Sequence, residues 1–184
     1  MKKNLLIIIG IIVLFIFFSV SYYNKLVSLQ EQVKAAWAQV ENQLQRRFDL
    51  IPNLVNTVKG YAAHEKDVLT AVTDARSRVG SAQTVKDKID ANRELTSALG
   101  RLLVVMENYP NLKADQTFLA LQSQLEGTEN RIAVERKRYN ETAQIYNRTI
   151  RKIPYIFFSG LLGFDSKPYF EADAAAQKAP ELKF

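Results

Sequence analysis

The chain has 184 residues, 47% of them hydrophobic and 24% charged, with a net charge of +6 and a pI near 9.5. Cysteine is absent, which excludes disulfides, thiolate zinc sites and thiol catalysis, while only 7 Gly and 5 Pro favour long regular elements over tight turns. Two of the positive charges, Lys2 and Lys3, flank an apolar run, so the rest carries about +4, too modest an excess to identify an anionic partner.

Residues 1–4 form a short flank. Leu5 to Val20 then contains no charge. As a helix, residues 5–23 span about 28 Å, close to one hydrocarbon core. Tyr22 and Tyr23 fall where an interfacial aromatic belt belongs. A cleaved signal peptide is the competing reading, with Ser19-Val20-Ser21 as the small-residue site. The apolar run is long for that role, bulky Tyr-Tyr follows, and the helical pattern resumes without a loop. An uncleaved transmembrane anchor is therefore expected. Lys2 and Lys3 on one side of the span favour a cytoplasmic N-terminus and an extracytoplasmic body, with a cytoplasmic body as the alternative.

The body, residues 24–153, reads as one helical domain. Apolar or small residues recur at Leu26, Leu29, Val33, Trp37, Val40, Leu44, Phe48, Ile51, Val55, Val58 and Ala62, with an average step of 3.6. That is the period of a nearly straight amphipathic helix. No Gly/Ser/Pro linker separates it from the anchor, so the membrane helix is expected to run on as a stalk. Pro52 cannot donate to Phe48 and predicts a kink. A second helix fits 65–79, ended by Gly80 and Ser81. Thr84 to Asp87 resembles a capping box that opens a third helix over Val85–Met106. Tyr109-Pro110-Asn111 is a stop. A fourth helix fits 115–153, with a stripe from Phe118 through Leu121, Leu125, Thr128, Ile132, Glu135, Tyr139, Thr142, Tyr146 and Ile150 to Ile153. Pro154 ends it. The predicted class is thus all-α: an N-terminal transmembrane helix continuing into an elongated antiparallel bundle of about four helices.

Residues 154–164 are apolar and uncharged but too short to cross a bilayer. They either fold back on the end of the bundle or form an exposed patch for lipid or another subunit. Gly160 and Gly163 argue against a single regular helix there. Residues 165–184 read as an irregular tail.

Catalytic chemistry is not evident. His64 stands alone beside Glu65 and Asp67, and i, i+1, i+3 positions converge poorly on a metal, so it reads as a solvated histidine. No phosphate loop or serine elbow is present. Glu126 and Glu129 share a face, but the histidines of a di-iron bundle are missing. They are expected to pair with Arg131 and its neighbours. No cofactor, metal or small-molecule substrate is implied. The basic run Arg131, Arg136, Lys137, Arg138, Arg148, Arg151 and Lys152 scatters around its helix, which favours a solvated face over nucleic-acid binding. Its last three members precede the apolar segment, so the candidate contacts for lipid or a protein partner are Arg148, Arg151, Lys152, Phe157, Phe158, Leu161, Leu162 and Phe164.

Four stretches resemble the LemA family. They are Val33–Arg47 (VKAAWAQVENQLQRR) followed by Phe48–Val55 (FDLIPNLV), Tyr109–Ala114 (YPNLKA), Leu125–Ile132 (LEGTENRI), and Tyr139-Asn140 with Tyr146-Asn147. The likeness covers nearly the whole chain, departing after Lys167. It implies a bacterial inner-membrane protein with one N-terminal span and an antiparallel helical bundle, and no catalytic residue to carry over. The functional expectation is a non-enzymatic, membrane-anchored scaffold or adaptor that binds partner proteins or copies of itself. The alternatives are a lipid-surface-binding or remodelling protein and, less supported, a carboxylate-metal enzyme.

Overall fold

A computed structural model describes residues 2–171; most of the tail expected at 165–184 lies outside the described residues. Among the described residues there are six helices and no strand. Helix α1 runs Lys2–Tyr61 without interruption, so the membrane-type segment and the first bundle helix are one element. It continues through Pro52. The Phe48 carbonyl that Pro52 cannot reach accepts instead from Arg76 Nε at 3.3 Å, while the Arg76 guanidinium lies 3.8 Å over the Phe48 ring.

Helices α2 (Lys66–Ser81) and α3 (Val85–Met106) follow, joined by a turn short enough to make them antiparallel neighbours. The capping box read from Thr84 and Asp87 is formed: the Asp87 amide donates to Thr84 Oγ1 at 3.1 Å and the Thr84 amide to Asp87 Oδ2 at 3.3 Å. The stop at Tyr109 contains a single turn, α4 (Pro110–Lys113), which buries Leu112. Asp115 opens α5 (Gln116–Ile150) by accepting the Phe118 amide at 2.8 Å. That bond, with the Tyr61 hydroxyl second, holds the Asp115 carboxyl below its usual range. Helix α5 stops three residues short of the expected 153 (150 against 153), and Ile153 is exposed rather than on the stripe. Thr128 is buried and Thr142 half-buried; both hydroxyls donate to carbonyls of their own helix, Gln124 and Arg138. Helix α6 (Tyr155–Leu162) passes through Gly160 as one regular element. Gly163 takes the left-handed conformation (φ 72°) that ends it, and the Phe164 amide reaches back to the Ser159 carbonyl.

The described chain divides into two compact units. One contains residues 2–38 together with Lys137–Tyr169. Its core joins Leu26, Leu29, Val33 and Trp37 to Tyr139, Ala143, Tyr146 and Ile150. The Trp37 and Tyr139 rings meet edge to face at 5.4 Å. The other contains Gln39–Arg136, with the described chain from Phe170 on. Its core draws Ile51, Leu54 and Val58 from α1, Leu69 and Val72 from α2, Leu95, Leu99 and Leu102 from α3, and Phe118 and Leu121 from α5.

Candidate membrane-contact site

The first unit holds the features that bear on function. In α1, every side chain from Leu6 to Phe18 is exposed, and the helix is long and apolar enough to cross a membrane. Its apolar surface has no partner among the described residues at this end, as a lipid-facing helix requires. The two tyrosines that follow are engaged. Tyr22 packs against Tyr155 at 5.2 Å and Phe158 at 5.6 Å, and Tyr23 against Phe164 at 6.0 Å. Helix α6 is therefore seated beside the aromatic end of the apolar segment.

Three further bonds hold this arrangement. Buried Ser159 Oγ donates to the Ile150 carbonyl at 2.9 Å, satisfying the last turn of α5. Asn147 clasps the returning chain: its Nδ2 donates to the Lys167 carbonyl and its Oδ1 accepts the Lys167 amide, both at 2.8 Å. Tyr139 donates its hydroxyl to the Pro168 carbonyl at 3.0 Å. Burial, with Tyr169 nearby as the lesser cause, pushes the Tyr139 phenol up to about 12. Tyr146 is raised also, by burial first and Asp165 second.

The residues singled out from the sequence fall into three groups. Phe158 is half-buried against Tyr22, and Phe164 is buried against Tyr23. Phe157 (70%), Leu161 (84%) and Leu162 are exposed, and the structure adds Ile156, from the same segment, and Ile153 (78%), expected on the stripe of the preceding helix. Arg148, Arg151 and Lys152 line one concavity of about 440 Å³ with Gln144, Asn147 and Tyr169, and no carboxylate shares it. One side of α6 thus packs against α1 through Tyr155 and Phe158, and the other is bare and apolar.

The second unit contains a group the sequence reading missed. Arg47 is 4% exposed, and its Nη1 donates to Glu129 Oε2 and Thr96 Oγ1, both at 2.9 Å. Burial pulls the guanidinium pKa down, and Glu129 opposes that. Glu129 therefore pairs with Arg47, not with Arg131, while Glu126 accepts from Gln122. The signal was available: Arg47 continues the series Val40, Leu44, Ile51, Leu54 and Val58 at spacings of three and four. An apolar cavity of about 230 Å³ reaches this pair between Leu54, Leu99, Leu103 and Leu125. His64 is exposed, and no group of three or more His, Asp or Glu converges among the described residues.

Comparison with known proteins accords with this architecture. The LemA family pattern matches residues 36–184. Magnetosome protein MamQ 2 of Paramagnetospirillum magneticum is 30% identical over 179 residues, and magnetosome protein MamQ of Magnetospirillum gryphiswaldense is 28% identical. Each comparison takes in 83% of this chain and 66% of the relative, so the chain spans just under two thirds of their length. Protein LemA of Metamycoplasma hominis is 25% identical over 138 residues, covering 74% of this chain and 63% of that protein. The match takes in the signature in α1 from Ala36 on, the Tyr109–Ala114 turn and the whole of α5, so this chain belongs to the LemA family as a membrane-associated, all-helical member.

Proposed function

We propose that the protein is a non-enzymatic scaffold, anchored through residues 5–23 and presenting its helices to partner proteins or to copies of itself at the membrane. The observation that carries this reading is α1. Its bare apolar segment continues, without a linker, into the helix whose other residues form the cores described above. Anchoring confines copies to a plane, which raises their effective concentration and makes weak contacts productive. The relatives named as magnetosome proteins fit work in an assembly. A single pass with the body outside the cytoplasm is the orientation that Lys2 and Lys3 support.

The test is cross-linking of full-length protein in native membranes, followed by affinity capture and identification of what is joined. The expected result is a discrete heavier species, either a homo-oligomer or a defined heteromeric complex. Monomer alone with no reproducible companion overturns the scaffold reading. A transition metal bound in stoichiometric amount by the purified protein would favour the carboxylate-metal alternative. Protease protection on intact cells reads the orientation directly.

A further inference from the structure

Helix α6 has no polar face. Its inward side places Tyr155, Phe158 and Ser159 against the unit, and its outward side carries Ile156, Phe157, Gly160 and Leu161, with Ile153 just before it. A helix exposed to water needs polar side chains on its outer face. These residues expose on the order of 500 Å² of contiguous apolar surface, at the upper end of what monomers show. The same unit joins two other features to α6, one by ring contacts and the other through Lys152, whose carbonyl accepts the Ile156 amide at 2.9 Å. One is the aromatic end of the apolar α1 segment, which touches α6 through Tyr22 and Tyr23. The other is the acid-free concavity containing Arg148, Arg151 and Lys152, none of which has an ion-pair partner among the described residues.

From this juxtaposition we infer that α6 is a second, interfacial membrane contact. It lies along the boundary between head groups and acyl chains of an anionic leaflet, with Phe157 and Leu161 immersed and the three cations on lipid phosphates. Three arguments select this occupant. Tyr22 and Tyr23 belong at the head-group level when the α1 segment spans, so α6, packed on them, is already at that depth. Ring contacts run from exposed Phe18 of α1 through Tyr22 to Phe158, tying α6 to the lipid-facing segment. The neighbouring charge is of the sign that anionic head groups attract, and each such cation near the surface strengthens the contact. Because α6 is delivered by the anchor, a short helix suffices where a free one would not hold.

The inference rests on the anchor reading, and the test separates the two. The chain lacks cysteine, so single substitutions give unique labels. Nitroxides at Phe157→Cys and Leu161→Cys are read in full-length protein reconstituted into vesicles of phosphatidylethanolamine with phosphatidylglycerol, and into phosphatidylcholine alone. Collision with oxygen reports lipid, and collision with a water-soluble nickel chelate reports water. Ile12→Cys reports the span, and exposed Ala63→Cys reports the aqueous phase. The expected oxygen-to-nickel ratio at 157 and 161 is several-fold above that at 63 in the anionic vesicles. It should fall toward the value at 63 when Arg148, Arg151 and Lys152 are all changed to Gln, with position 12 unchanged. High nickel collision at 157 and 161, with 12 still in lipid, overturns the inference and spares the anchor. Low collision with both reagents means a protein surface covers α6 and overturns it in favour of a second copy or partner. Equal ratios in the two vesicle types overturn the choice of an anionic surface. A water-exposed label at 12 refutes the anchor reading itself.

Discussion

Buried Arg47 makes the two partners of its ion pair unequal. Removing the acid by Glu129→Ala leaves a guanidinium that is 4% exposed with one hydroxyl partner, Thr96. Stranding a fully buried charge costs about 3–5 kcal/mol. Glu129 is itself 40% exposed, so water recovers part of that loss, and the expected destabilisation is about 2 kcal/mol. Removing the base by Arg47→Met strands nothing. Thr96 still donates its hydroxyl to the Asn92 carbonyl at 2.9 Å, Glu129 rehydrates, and the thioether enters a cavity walled by leucines. The desolvation relieved offsets the bonds lost, so Arg47→Met is expected within about 1 kcal/mol of the parent. Urea unfolding of full-length protein in mild detergent, followed by far-ultraviolet circular dichroism, measures both variants. If Arg47→Met costs as much as Glu129→Ala, attraction rather than desolvation governs the pair and this reasoning is refuted.

Three more outcomes follow from described contacts. The Tyr139 phenol is held neutral in the fold, from an ordinary 10 up to about 12, so its contribution is complete below pH 10 and is lost as pH rises through about 12. Trp37 emission, read across that range, should change with a midpoint near 12, and Tyr139→Phe should abolish that limb. Arg76→Ala orphans the Phe48 carbonyl opposite Pro52 and bares the Phe48 ring; about 1–2 kcal/mol should be lost in the same urea assay. Gly163→Ala places a Cβ at φ 72° and should cost about 1 kcal/mol, read as faster amide exchange over residues 155–164, with Gly163→Asn milder.

What could be foreseen was what repeats or punctuates. The 3.6 spacing marked α1 from Leu26 to Ala62, and a reciprocal pair of short side chains marked the start of α3. Those signals are local. Arg47 was hidden because charge normally marks the wet face, and only its register with Val40 and Leu54 contradicted that. Glu129 found its base on α1, a contact 82 residues away in sequence (129 against 47), which no helical wheel displays. The clasp of Asn147 on Lys167 was equally invisible, since a polar residue one step past Tyr146 gives no hint of a returning chain. For residues 154–164, composition announced apolar surface but not its division. The tyrosines of α1 claimed Phe158 and Phe164 and left Phe157 and Leu161 bare.

The unit around Trp37 is assembled from two stretches of chain separated by the whole of Gln39–Arg136. A ribosome therefore releases Leu26, Leu29, Val33 and Trp37 long before Tyr139 and Tyr146 exist to cover them. The intervening stretch is continuous and has its own hydrophobic interior, so it is equipped to fold before the C-terminal half of α5 is made. Until then the newborn polypeptide has an uncovered greasy stripe immediately after its membrane segment. Truncation before Tyr139 would leave that stripe bare for good.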